Sequence, residues 1–289
     1  MRRDIYLCAD DYAQNEGISD GIEALVQAKR INALSCMVTT PTWAMRASRL
    51  KKHVTSCYVG LHVNLTEGTP LTQAWHTHYG TTFKPLSWLM TMCFSNRLNR
   101  QILALELGRQ LKTFIDQTGF FPDFIDGHQH VHQFPGIRDY LLSNYAGQIK
   151  IRNTSPRMPT HHFFDGFPKK QLIACLGGRK LDQMLIEKKA TFNTSFSGVY
   201  HFKDATRYRQ HFTQFLKNSV SHGLIMCHPG HDMHDHTDPL HFSRHHEFDY
   251  LMSDAYLDDM RAMNCVLIQK QRVSCDGINS KNNRETVEF

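Results

Sequence analysis

None of the eight cysteines stands in a C-x-x-C pair; Cys8, Cys36, Cys57, Cys93, Cys175, Cys227, Cys265 and Cys275 are scattered singly. That scatter argues against a zinc ribbon or a disulfide framework, and the thiols read as reduced and mostly buried. No apolar run approaches the ~18 residues that a membrane helix needs. The apolar stretch 5–9 behind Arg2 and Arg3 is cut off by Asp10 and Asp11, too soon for a secretory core. The expectation is a cytoplasmic chain with no membrane partner. Internal repeats and low-complexity tracts are absent as well. Basic residues exceed acidic ones by six, but they come as dispersed pairs such as Lys51–Lys52, Lys169–Lys170 and Lys188–Lys189. With no basic stripe interleaved with aromatics, nucleic acid is not an expected partner.

The residue in excess is histidine, 19 in all, crowded into 128–132 and 228–246. Histidine is the commonest metal ligand and a frequent proton carrier. The 289 residues suffice for one large domain, and a hydrophobic fraction of 41% with 21% charged residues is ordinary for a globular core.

Periodicity predicts alternating strands and helices. Strands are expected at 4–9, 33–39, 57–65, 124–128, 149–152, 223–228 and 265–273. Helices are expected at 17–29, 97–117, 169–188 and 242–263; on the second, Ile102, Leu105, Leu111, Phe114 and Ile115 keep near-helical spacing. This alternation, with no strong linker, indicates one α/β domain with a mostly parallel sheet. Asp10–Asp11, His62, Asp126–His128, Arg152 and His228 fall at or just past the ends of predicted strands. In (β/α) barrels that is the rim where active sites are built, which favours a barrel over an open sheet.

Two adjacent carboxylates behind an apolar strand are costly unless a cation or a hydrogen-bond network compensates them. Their side chains diverge, so one can hold a metal while the other faces substrate; the alternative is a helix cap with a first-turn acid. His62, in the run Gly60–Thr66, is by itself an ordinary core histidine. In Asp126-Gly127-His128-Gln129-His130-Val131-His132, alternate spacing places Asp126, His128 and His130 on one face if the strand continues. Asp126 can then orient a ligand from behind. Cys227-His228-Pro229-Gly230 ends a buried strand in a turn and delivers an imidazole to the rim. The histidines at 231, 234, 236, 241, 245 and 246 fall in a polar loop and a helix start.

The ordered motifs ADDY, GLHxNLT, DxHxHxH and CHPG resemble the YdjC-like family of carbohydrate deacetylases, from about Arg3 to His228. The resemblance implies a distorted TIM-like (β/α) barrel of the polysaccharide-deacetylase type, over residues 1–275, with 276–289 as a flexible tail. It implies one divalent cation, Mg²⁺ or Zn²⁺, on Asp11, His62 and His128, with His130 as the alternative to His128. Asp10 would be the general base, His228 the general acid and Arg152 the partner that steadies Asp10. The family usually has Gly after the aromatic of the first motif, whereas this chain has Ala13 after Tyr12; a left-handed backbone there would be strained.

The expected reaction is removal of acetyl from an N-acetylated sugar or oligosaccharide, such as a disaccharide or a phosphorylated form. Tyr12, Trp43, Trp75, Tyr79 and Trp88 are candidates to stack on the sugar, but each taken singly is more readily read as filling gaps between helices, Trp43 and Trp88 above all. Rival readings stay open: a two-metal amidohydrolase or PHP-type phosphoesterase, or a non-catalytic histidine-rich metal binder. A homodimer stays open too.

Overall fold

The structure is a computed structural model describing residues 1–155, 173–231 and 238–270. The expected tail 276–289, His234 and His236 lie outside the described residues. All strand pairs are parallel, in the order β5-β4-β3-β2-β1-β7-β6: β1 Arg3–Tyr12, β2 Ala33–Cys36, β3 Tyr58–Val63, β4 Phe124–Gly127, β5 Lys150–Ile151, β6 Phe196–Ser197 and β7 Leu224–Cys227. The ring closes between β5 and β6 through the segment leading into β6. Ile151 donates its N–H to Thr191 O (3.0 Å), and Asn193 bonds both the N–H and the C=O of Asn153 (2.8 and 2.9 Å).

An eighth strand, β8 Cys265–Leu267, pairs with the first residues of β1 rather than joining the ring. Asn32 fills the fork between β2 and β8. It donates to Ile5 O (3.0 Å) and Ile268 O (2.9 Å) and accepts from Leu7 N–H (2.8 Å). The fold is therefore the distorted (β/α) barrel expected from the position of the polar residues.

The strand alternation of period two separates two apolar layers. Cys8, Ala33, Phe124, Phe196, Leu224 and Met226 fill the lumen. Ile5, Leu7, Ala9, Leu34, Val59, Leu61 and Ile225 pack outward among the helices. Gly60 lies against the Phe124 ring, where any Cβ would overlap the ring.

Helix ends follow local chemistry. Asn15 accepts from Ile18 N–H (2.8 Å) and caps the helix Glu16–Gln27. Asn99 caps Arg100–Thr118, which ends on left-handed Gly119. The helix expected over 242–263 is two helices, His241–Met252 and Asp254–Ala262, because Ser253 is extended and caps the second. The last strand stops at Leu267, and 271–273 lie outside the described residues. Helices at Trp43–Leu50, Gln73–Tyr79, Leu86–Phe94, Ile137–Tyr145 and Tyr208–Asn218 were not anticipated. Leu86–Phe94 (LSWLMTMCF) is apolar nearly all round and so shows no face.

Candidate active site

Four strand ends supply the rim. Asp10 and Asp11 close β1, His62 lies in β3, His128 follows β4 and His228 follows β7. All five line one cavity of about 690 Å³. The cap at Asn15 removes the alternative role for the aspartate pair, since that helix is already capped.

Asp10 is fully buried and receives a two-pronged contact from Arg152, Nη1 to Oδ2 and Nη2 to Oδ1, both 2.6 Å. Burial alone would raise its carboxyl; the Arg152 guanidinium overrides this and holds it well below the usual carboxylate range. Arg152 Nη2 also lies 2.5 Å from Asp126 Oδ2. Cys8, Asp10 and Asp126 could by themselves form a donor group for a cation, but the guanidinium already stands among them.

Asp11, His62 and His128 form the other donor group, with one ligand atom from each within 4.8 Å of the others. Asp11 Oδ1 lies 2.9 Å from His128 Nδ1 and 3.4 Å from His62 Nε2. A divalent cation with N and O ligands at about 2.0–2.2 Å spaces its donors by about 3.0–3.5 Å, so the set fits such an ion. The candidate donors are also braced from behind, as metal-site histidines usually are. His62 donates from Nδ1 to Asp126 Oδ1 (2.7 Å), which also accepts from Ser35 Oγ. His128 Nε2 faces Glu67 Oε1 at 3.1 Å. Burial lowers both imidazoles, but their carboxylate neighbours prevail: Asp126 and Asp11 raise His62 to about 10, and Asp11 with Glu67 raises His128 to about 9.

Glu67 sits where it does because the loop after β3 is tied to the helix Arg100–Thr118. Gln110 donates to Asn64 O (2.7 Å), and buried Glu106 accepts from Leu71 and Thr72 N–H (both 3.0 Å). Asn64 in turn donates to Glu67 O (2.7 Å).

The continuous strand expected through 126–130 is not present. β4 ends at Gly127, and left-handed Gln129 (φ 52°) and His130 (φ 60°) turn the chain away. His130 therefore leaves the face of His128, packs its ring 5.7 Å from Phe196 and stays out of the donor group. His132 is buried and donates from Nε2 to Arg152 O (3.2 Å).

His228 is half-buried. Its main-chain N–H donates to Glu247 Oε2 (2.6 Å), and its ring meets Phe202 edge-on at 5.5 Å. Burial pushes its imidazole down to about 4, against the opposing pull of Asp11 and Asp10.

The candidate sugar-stacking aromatics take the gap-filling role instead. Tyr12, Trp43 and Trp75 are buried in the outer core, and Tyr79 packs on Trp75 and Trp88. None of the five lines the cavity; Phe134 and Phe202 do. Ala13 is left-handed (φ 72°), held by Ser19 Oγ on its N–H (3.0 Å) and by Thr40 and Thr42 on its C=O. The conditional strain therefore applies. Sequence reasoning missed Glu67, Arg244 and Glu247. No local signal marks them, because each is joined to the site only by tertiary contact.

Residues 4–262 match one family model, described as YdjC-like protein. The chitooligosaccharide deacetylase of Escherichia fergusonii is 33% identical over 156 residues, covering 51% of this chain and 58% of that protein. The carbohydrate deacetylase of Mus musculus is 31% identical over 138 residues, 46% and 44% of the two chains. The chain thus spans about half the length of these curated relatives. A chitooligosaccharide deacetylase of Klebsiella pneumoniae matches at 27% over 241 residues, 79% and 82% of the two chains. A crystal structure of a candidate cellobiose-phosphate cleavage protein from Enterococcus faecalis V583 superposes with a TM-score of 0.68 at 18% identity, covering 93% of this chain and 97% of that one. At that identity the likeness is one of fold alone.

Proposed function

The chain belongs to the YdjC-like protein family, and on that premise we propose that it is a metal-dependent hydrolase removing acetyl groups from N-acetylated sugars or chito-oligosaccharides. The observation that carries this reading is the meeting of Asp11, His62 and His128 beside an Arg152-bound Asp10 in one cavity. The relatives named as carbohydrate and chitooligosaccharide deacetylases supply the substrate class.

A divalent cation, Zn²⁺ or Mg²⁺, held by Asp11, His62 and His128 supplies a Lewis acid for the acyl carbonyl and for the attacking water. Asp10 takes a proton from that water, and Arg152 keeps its carboxylate ionised and aimed. His228 hands a proton to the departing amine. Desolvation keeps it neutral at rest, so it takes up a solvent proton as negative charge develops on the substrate beside it and passes that proton to the amine, while Asp10 returns the water's proton to solvent as acetate leaves. Water adds across the C–N bond, leaving acetate and a free amino sugar.

Among the described residues, Asp10, Asp11, Glu67, Asp126 and Asp238 gather here against Arg152 and Arg244. With the His62 and His128 imidazoles neutral on a bound divalent cation, five negative charges would stand against two arginines and the ion, which leaves one. That residual charge favours a neutral acetylated sugar over a phosphorylated one. Phe134, Leu176, Val199 and Phe202 offer an apolar wall for the face of the ring. The two-metal rivals lose support, because Arg152 fills the second donor group.

The test is acetate release from N-acetylated mono- and oligosaccharides, with and without chelator. Chelator-sensitive release from a short N-acetylglucosamine oligomer is expected. Faster cleavage of N-acetyl amino acids or of phosphate esters than of any acetylated sugar would overturn the carbohydrate assignment.

A further inference from the structure

Arg244, in the first turn of the helix His241–Met252, is buried at 2% exposure and reaches across the rim to Asp11. Its Nη2 donates to Asp11 Oδ2 (2.8 Å) and to Gln14 Oε1 (2.9 Å), and its Nε donates to Asp238 Oδ2 (2.5 Å). The oxygen it engages is not the one that faces the histidines: Oδ1 is directed at His128 Nδ1 and His62 Nε2. The Pro229–Gly230 turn makes room for the arginine. A Cβ on Gly230 would meet Arg244 Cδ at 3.2 Å and Cβ at 3.3 Å.

We propose that Arg244 is a positioning residue for the cation-binding carboxylate. It occupies Asp11 Oδ2, so that Oδ1 alone is left for the ion, and it offsets the charge of Asp11 so that the bound cation stays electrophilic. The proposal rests on Asp11 being a ligand, as the proposed function has it. Two consequences follow from charge. A guanidinium one carboxylate away from a divalent cation repels it, so Arg244 weakens metal binding while strengthening its action on substrate. Without Arg244, Asp11 and Asp238 are buried and uncompensated, a state that cation binding relieves.

The experiment is Zn²⁺ titration of the full chain against a chromophoric chelator, alongside steady-state kinetics at saturating Zn²⁺. The chains compared are wild type, Arg244→Met, Arg244→Lys and Asp11→Ala. Arg244→Met should bind Zn²⁺ at least tenfold more tightly than wild type and lose at least tenfold in kcat, with KM changed less than threefold. Arg244→Lys, which keeps the charge, should stay within threefold of wild type in Zn²⁺ affinity and also keeps the proposal testable if the Met variant does not fold. Equal or weaker Zn²⁺ binding by Arg244→Met, or an Arg244→Lys affinity shifted as far as that of Met, overturns the proposal. A wild-type chain that binds Zn²⁺ no better than Asp11→Ala overturns the metal assignment itself, and with it this inference. A wild type that binds Zn²⁺ but deacetylates no sugar refutes only the substrate, and the affinity comparison then decides the role of Arg244.

Discussion

Glu247 lies under His228 with its side chain wholly buried, accepting the His228 N–H (2.6 Å) and the Tyr200 hydroxyl (2.7 Å). Burial pushes this carboxyl up from 4.5 to about 7, although its hydrogen-bond donors and Arg244 pull the other way. At 1.36 kcal/mol per tenfold change, that gap corresponds to about 3 kcal/mol between protonated and ionised forms. The sign follows from linkage. A carboxyl whose folded-state pKa is raised contributes stability that is fully present below its unfolded value and is lost as pH rises through the folded value. Wild type should therefore lose about 3 kcal/mol from this group between about pH 4.5 and pH 7, on top of whatever its other groups do. Glu247→Gln imitates the protonated acid, with Oε1 for the His228 N–H and an amide N–H for Tyr200, and does not titrate. Urea unfolding of both proteins at pH 5, 6, 7 and 8, with chelator present, isolates the difference. The variant's advantage should grow by about 2–3 kcal/mol from pH 5 to pH 8. Parallel stability curves across that range would mean that Glu247 is ionised throughout and that its burial is better compensated than the contacts indicate.

Replacing Asp11, His62 or His128 singly with Ala should strip the cation while the barrel still folds; elemental analysis showing full occupancy in all three variants refutes the ligand set. Asp10→Asn should keep the metal and lower kcat by ~10²–10⁴, the usual contribution of a positioned base, whereas near-normal turnover makes Asp10 structural. Ala13→Gly should cost less than about 1 kcal/mol, because relief of the left-handed backbone offsets the lost methyl. The same change at Ala47, buried in the helix Trp43–Leu50, should cost about 2 kcal/mol; equal losses in urea unfolding refute the strain at Ala13.

The barrel was legible because its strands are short apolar runs that stop at polar residues, and parallel strands put all those stops on one rim. Asp10, Asp11, His62, His128, Arg152 and His228 could thus be gathered from five separate stretches of sequence. What failed is what period and composition do not encode. The alternation D-x-H-x-H reads as one face only while the strand lasts, and nothing in Gln129 or His130 announces a left-handed backbone that glycine would normally supply. Trp43 and Trp75 are no such failure: they pack in the outer core against Phe114, Tyr79 and Phe83, the role each offered when taken singly. Arg244 and Glu247 lie on a helix whose sequence (HFSRHHEFDYLM) is crowded with polar groups. Which of these turn inward depends on where the helix docks.

The adjacent aspartates show how the barrel tolerates the site at all. In a regular strand Asp10 would share the lumen side with Cys8, and Asp11 would point outward with Ala9 into the helical layer. The pairing of β1 with β2 slips between Ala9 and Tyr12, and Asp11 takes a left-handed φ of 68°. Both carboxylates therefore face the same cavity, in different directions within it. Two like charges brought together and buried would ordinarily force one to keep its proton. Here each meets its own guanidinium, Arg152 from beyond β5 and Arg244 from the helix after β7, and both stay ionised. The backbone strain at Asp11 and Ala13, a cost of order 1–3 kcal/mol for each such residue, is thus the local cost of aiming two charged carboxylates into one cavity. A regular β1 would be more stable and would lose the pairing of the proposed ligand, Asp11, with the proposed base, Asp10.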